Sequence, residues 1–400
     1  MKISNYFKYI FTFFLFICIF DPADKLFNLK TPVFLICSFL FLFDIFNTAK
    51  TSYFPKLLIL INTLLLLIPL FSIFIYFVLN SSFPEAGFDL FKAYILIFIS
   101  IYLYYFKLNI FREFSFILLL LSLFIISIYL FILIAPEFYN IIYLWGLNYQ
   151  IFLIGERSYS IDTESLWSIY FVTSPMLVIP IAYFTIKYFE KKKKLYLFLS
   201  IINVFAMFIA GTRNNMLVSL LLPLILFYKY SKNKLPILLV SFFSVFLILI
   251  NYAGLLKSML SFEEASNSTK IGLIDDYRNI FSNPINLAFG QGIGSNHYWI
   301  SRGKIDYITE LTYLEIFRSY GLFLGFIILL IIFYPVYILF FKKISKDYPI
   351  LTAYFLYMVM AATNPIYFMS MGMLFFPIVL SIIFINYSKN SNPTITFNLS

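Results

Sequence analysis

Residues 114–134 run for twenty-one positions without a charge and are dominated by Phe, Ile and Leu. That length matches the ~20 apolar residues a helix needs to cross a hydrocarbon core ~30 Å thick. Comparable runs recur along the chain. We read spans at 5–20, 31–46, 55–79, 89–106, 114–134, 166–189, 195–210, 214–229, 235–255, 311–341, 349–363 and 366–387. In lipid, every backbone N–H and C=O must be satisfied inside the protein, which leaves helices or closed barrels. Barrel strands would alternate apolar and polar residues over ~10 positions, whereas these runs are continuous. The expected fold is therefore all-α: a polytopic integral membrane protein with about 12 transmembrane helices and a larger external loop.

Composition agrees. Of 400 residues, 62% are hydrophobic and 12% charged, with mean hydropathy +0.91. A soluble domain carries ~25% charged residues, so lipid must cover much of this surface. Lys2 and Lys8 precede a first apolar run that ends near Phe20 with no small-x-small cleavage site, and we read it as an uncleaved span. The expected organisation is one transmembrane helical domain over 1–387 and a disordered cytoplasmic tail over 388–400.

Lysine sets the orientation. Lys2, Lys8, Lys50, Lys56, Lys107, Lys191 to Lys194, Lys229, Lys232, Lys234, Lys342, Lys343 and Lys346 all fall on one side of a twelve-span path. By the positive-inside rule that side is the cytoplasm, together with both termini. The net charge of +10 is thus a topology signal, and no nucleic-acid partner is expected. Loops at about 135–165 and 256–310 go outside, with a short one at 80–88. The 195–229 stretch would span about 52 Å if straight, so 211–215 is expected as a tight outer turn. Cys18 and Cys37 sit inside apolar runs as packing residues. There is no CxxC and no His/Cys cluster, so no metal or cofactor is expected.

Arginine behaves differently from lysine. Five of the six, Arg157, Arg213, Arg278, Arg302 and Arg318, lie on or near the outer side, and only Arg112 is cytoplasmic. Guanidinium matches phosphate and carboxylate with paired donors and stays charged when partly desolvated. The expectation is an outward-facing pocket for a polyanionic lipid-linked substrate. The alternative is pairing with local acids such as Glu156, Asp275, Asp276 and Asp306. Arg213 would open the eighth span, where a helix N-terminus adds N–H groups.

The 256–310 loop is the most polar. Gly290-Gln291-Gly292-Ile293-Gly294 follows no strand of a βαβ unit, so it is not a dinucleotide fingerprint. It is either a flexible turn or a close backbone approach to a sugar or phosphate. His297, the single histidine, and Glu310 are candidate bases for a sugar hydroxyl. Tyr298 and Trp299 could stack on sugars or belong to an interfacial aromatic belt. Glu315 lies three residues before Arg318, which permits a local ion pair.

Over about 205–330 the sequence resembles the O-antigen polymerase family and the related O-antigen ligases. The likeness rests on Gly211-Thr212-Arg213 opening a span, on Tyr277-Arg278, Asn283-Pro284 and Phe289 to Gly294, and on Glu310 to Tyr313, Glu315 and Tyr320-Gly321. The resemblance implies a metal-independent membrane glycosyltransferase of the bacterial inner membrane. Its substrate would be an undecaprenyl-diphosphate-linked oligosaccharide, transferred to the non-reducing end of another lipid-linked repeat. It implies outer-face arginines that hold the diphosphate, matching Arg157 and Arg213 by position, and with Glu310 and His297 as candidate bases these four are the expected catalytic residues. Arg278, Gly290, Gly292, Gly294, Tyr298, Arg302 and Arg318 would bind substrate. A chain-length regulator and a flippase would be further partners. His297 lies earlier than the histidine that ligases carry before the post-loop span, which favours polymerase over ligase. A flippase or other transporter of the same pathway is the rival from another class, and a non-catalytic envelope scaffold is a third reading.

Overall fold

The computed structural model describes residues 3–48, 54–157, 166–210, 212–232, 234, 265–342, 347–365 and 370–391. The expected span at 235–255, Gly211, Lys2, Lys50, Lys343, Lys346 and the tail from 392 lie outside them.

The described chain is mostly helix. The first half holds α1 (Ile3–Phe20), α2 (Lys30–Thr48), α3 (Lys56–Asn80), α4 (Glu85–Ile95), α5 (Phe98–Tyr105), α6 (Phe111–Ile134) and α7 (Tyr139–Asn148). A hairpin follows, β1 (Phe152–Arg157) with β2 (Leu166–Phe171), then α8 (Val178–Lys191), α9 (Lys194–Ile209) and α10 (Arg213–Tyr230). The remainder comprises α11 (Ala265–Phe281), α12 (Pro284–Phe289), a second hairpin β3 (His297–Trp299) with β4 (Lys304–Asp306), α13 (Thr312–Ile332), α14 (Tyr334–Phe341), α15 (Tyr348–Ala361) and α16 (Ser370–Ser391). Among the described residues six segments are long and apolar enough to cross a membrane: α1, α2, α3, α4 with α5, α6 and α13. The chain is thus an all-α membrane protein with little sheet.

One expected span is corrected. Residues 166–189 do not form a single helix. Leu166–Phe171 is rich in aromatics with Ile169, residue types that favour an extended pleat, and pairs antiparallel with Phe152–Arg157. A short 3-10 turn with Pro175 at its start leads into α8. The expected 311–341 helix is also interrupted, because Gly321 adopts φ 71° and ψ 177° inside α13.

Contacts sort the helix ends onto two poles. At one, Lys8 Nζ lies 2.7 Å from Glu113 Oε1, Phe7 stacks on Phe106 and Tyr105 donates to Asp44. Phe111 meets Tyr183, Phe189 meets Phe227, Tyr230 meets Tyr348 and Asn386 donates to Asp347 at 2.6 Å. At the other, Thr173 bonds the carbonyl of Ile19, Asn214 bonds Thr363, Thr312 bonds the carbonyl of Asn364, and residues 265–311 gather. The described lysines at 187–194, 229–234 and 342 belong to the first pole, so we term the two the lysine pole and the loop pole. Between them the helices bury one continuous apolar core. Polar pairs Asn62–Ser100, Ser122–Asn203 and Thr185–Ser200 tie neighbouring helices together. Outside the core stand bare apolar side chains such as Phe39, Phe46, Ile134, Phe198 and Phe323, as a lipid-facing surface requires.

Candidate functional site

The loop pole is built on α11. Its Leu273, Tyr277 and Ile280 form one buried face with Trp299 of β3, and its opposite face, with Ile271, Ile274 and Arg278, is exposed. This three-to-four residue spacing makes α11 an amphipathic cap lying on the ends of the bundle.

Beneath the cap sits Arg318, fully buried. Nε reaches Glu315 Oε1 at 2.9 Å and Oε2 at 3.1 Å. Nη1 reaches Gln291 Oε1 at 3.1 Å, the Ser295 carbonyl at 3.0 Å and Ser295 Oγ at 2.5 Å. Nη2 donates to the Tyr307 carbonyl at 2.8 Å and to Glu315. A guanidinium has five N–H groups, and all are used. Tyr277 donates to Glu315 Oε2 at 2.6 Å and also meets Thr309. Trp299 lies under the guanidinium, 5.6 Å from ring centre to Cζ. A buried ion pair is tolerated only when its remaining donors and acceptors are met, and here two separate loop segments, 291–295 and 307–309, meet them. Burial first, and the Glu315 carboxylate second, raise the Tyr277 hydroxyl well above its ordinary value, so it stays a donor to Glu315.

The glycine motif inserts into the same region. Gly290 and Gly321 face each other: a Cβ on Gly290 would stand 2.5 Å from the Gly321 nitrogen, and one on Gly321 2.2 Å from the Ala288 carbonyl oxygen. The break at Gly321 frees carbonyls that the loop then uses. Gln291 N–H donates to the Arg318 carbonyl at 2.7 Å, and Ser72 donates to the Ser319 carbonyl at 2.7 Å while accepting from Ile293 N–H at 2.8 Å. Gly292 abuts Ser72 and Tyr76, and Gly294 abuts Gly87. Close approach is therefore real, but the partner is the protein's own backbone. Ser72 lies eight residues before the end of α3, about 12 Å along the helix. The loop thus re-enters the bundle, where irregular backbone survives only if protein surrounds it.

A second, more open cluster lies along α11. Arg302 Nη2 contacts Glu310 Oε1 at 3.2 Å and its Nη1 lies 3.6 Å from Asp306 Oδ2. Lys304 pairs with Asp306 at 2.9 Å, and Lys270 stands 4.0 Å from Glu310. One turn before Lys270, Asn267 accepts from Arg213 Nη1 at 3.1 Å. Arg213 itself opens α10, capped by Thr212, whose hydroxyl accepts from Asn215 N–H. Arg213, Lys270 and Arg302 are thereby tied to α11 or to Glu310 beside it. His297 joins through β3, where it is paired with Asp306 of β4 and packs edge-on against Trp299 at 4.9 Å. Burial first, then the nearby Arg318 charge, lower its imidazole below the ordinary 6.5, which favours the neutral ring.

The structure thus brings Arg213, Arg302, Glu310 and His297 to one pole, the first three linked through α11. It does not gather every expected residue. Arg318 is fully engaged by internal partners, and Gly290, Gly292 and Gly294 pack closely against the protein's own chain. Arg278 is solvent-exposed, 4.0 Å from Asp275, and Tyr298 faces outward. Arg157 lies in β1 opposite Leu166, and its side chain is outside the described residues. Local pairing with acids describes Arg302 with Asp306 and Arg318 with Glu315, whereas Asp276 instead accepts from Ser301 N–H and Oγ. Lys270, Asn267, Gln291 and Ser295 escaped the sequence reading. The available signal was Asn267 and Lys270 three apart on one face of an amphipathic helix. Among the described residues no group of three or more His, Cys, Asp or Glu is placed to hold a metal ion.

No protein-family model, curated protein or solved structure matches the chain.

Proposed function

We propose that the protein polymerises lipid-linked oligosaccharide repeat units, moving a glycan from undecaprenyl diphosphate to the non-reducing end of another lipid-linked repeat. In this reading it crosses the bacterial inner membrane about twelve times, with both termini and the lysine pole cytoplasmic. The loop pole then faces the compartment where such units are joined. The observation that carries the proposal is the gathering of Arg213, Lys270 and Arg302 around α11, at the same pole as His297.

The chemistry follows from that charge pattern. An acceptor hydroxyl attacks the anomeric carbon, the bond from that carbon to the diphosphate oxygen breaks, and the diphosphate leaves with the bonding electrons. Fixed cations stabilise charge that develops on the leaving group. The hydroxyl proton goes to a base within reach. Glu310 is held between Arg302 and Lys270, so its charge is committed to ordering them. His297, at the same pole, is then the candidate acceptor, and Glu310 becomes a residue that positions cations.

Replacing Arg213 by Ala should leave expression and membrane insertion intact while cutting transfer by ~10²–10³-fold. On a glycan gel the long-chain ladder should collapse to single repeats. A normal ladder would remove Arg213 from the mechanism. A transporter remains the second reading, because the Arg318–Glu315 pair is an ionised pair inside a candidate span, a common mark of translocation pathways. Single repeats stranded on the outer leaflet of a deletion strain favour polymerase. Repeats stranded on the inner leaflet favour flippase.

A further inference from the structure

The β3–β4 hairpin has two faces with different fates. His297 and Trp299 turn inward toward the Arg318 cluster. Tyr298 and Ile305, which pair across the strands, turn outward and are 55% and 67% exposed, and Ile300 in the adjoining turn is 70% exposed. Next to it, Ser301 packs against Gly272 of α11, whose neighbours Ile271 and Ile274 are also exposed. Lys304 of the hairpin and Arg278 of α11 stand out among these apolar residues, 56% and 85% exposed.

An outward cluster of Ile and Tyr on a polar cap marks a surface made to be covered. Here the covering medium is adjacent. The hairpin leads into α13, whose Phe323, Phe326 and Leu330, in the part of that helix beyond Gly321, are themselves bare. Apolar side chains with a Tyr and flanking cations form the composition that settles at the headgroup and acyl boundary, and exposed Lys and Arg suit anionic lipid.

We propose that the outer face of this hairpin, Tyr298, Ile300 and Ile305, is an interfacial anchor that dips into the leaflet at the loop pole. Through the Arg318 cluster on its inner face, the anchor sets the height of the cap above the bilayer. The inference does not need the transfer reaction, because it concerns only lipid contact.

The test is depth measurement by site-directed spin labelling. Cys18 and Cys37 are buried, so the full-length protein can be labelled singly at Ile300→Cys or Ile305→Cys, with Asn279→Cys on the exposed side of α11 as reference. Each is reconstituted in vesicles of phosphatidylethanolamine and phosphatidylglycerol. The expected result is that labels at 300 and 305 collide with oxygen and are shielded from a water-soluble nickel chelate several-fold more than the label at 279. A nickel-accessible label at either hairpin position overturns the proposal, since that position then faces water. Shielding from both reagents also overturns it, because a protein surface rather than lipid then covers the hairpin.

Discussion

At the residue scale the clearest consequence concerns Arg318. Removing one partner of a buried pair strands the other charge and costs ~3–5 kcal/mol. Arg318→Met should therefore lower the thermal midpoint in detergent sharply, and adding Glu315→Gln should restore part of the loss. An additive double variant would mean the two groups do not interact. His297 gives a pH prediction. Its folded value lies below the ordinary 6.5, so the unfolded chain takes up a proton first as pH falls. Stability is retained above 6.5 and declines as pH drops below it. Melting at pH 7.5 and 5.5 should show that decline, reduced in His297→Gln. The sequence located these residues but not their duties. Five arginines away from the lysine side were legible from order alone. That Arg318 would be internal was signalled only by Glu315 three residues earlier. Its other acceptors, Gln291, Ser295 and Tyr307, come from a distant loop, and nothing local in the chain specifies that meeting.

At the element scale, helix identity was readable wherever apolar runs were unbroken, as in α3 and α6, because membrane length and continuity admit one solution. It failed at 166–171, where six residues are too few for hydropathy to separate a strand from the start of a helix. The glycines were visible as a motif, but their partner was not. Gly290 and Gly321 lie in different elements, and only the fold shows that each makes room for the other. Two alanine substitutions contrast a turn glycine in open space with a crowded one. At Gly303, φ is 62° with nothing within 4 Å of an added Cβ, so Gly303→Ala should cost ~1 kcal/mol from backbone strain alone. At Gly321 the backbone, φ 71° and ψ 177°, lies where essentially only glycine goes, and a Cβ would also stand 2.2 Å from the Ala288 carbonyl oxygen, so Gly321→Ala should cost well over ~2 kcal/mol from strain and crowding together. Thermal melts of the two variants check this. Equal losses would show that the re-entrant loop yields easily and that the packing at Gly321 is not what holds it.

At the scale of the whole molecule, the two-pole arrangement ties topology to function. Lysine placement alone put 80–88, 135–165 and 256–310 together, and the described contacts put residues of all three regions at one end: Gly87 meets Gly294, and Ile151 accepts from Val172 N–H in the turn after β2, where Ser174 accepts from Asn215 at the start of α10. Those contacts are long-range, so they owe nothing to the lysines, and the agreement is between independent signals. The contacts show which segments share an end of the bundle, and the proposed compartment for that end comes from the positive-inside rule. Single cysteines at the two poles read both. Lys232→Cys lies just beyond α10 at the lysine pole, and Asn279→Cys lies on α11 at the loop pole, both at exposed positions. In intact spheroplasts an impermeant maleimide should label position 279 at once and position 232 only after permeabilisation. The reverse pattern would invert the chain and carry the cationic cluster to the cytoplasm, where lipid-linked repeats are made rather than joined in the proposed reaction. Labelling of both positions from one side would break the alternation of α10 with α11, and with it the reason for treating Arg213 and Lys270 as parts of a single pole.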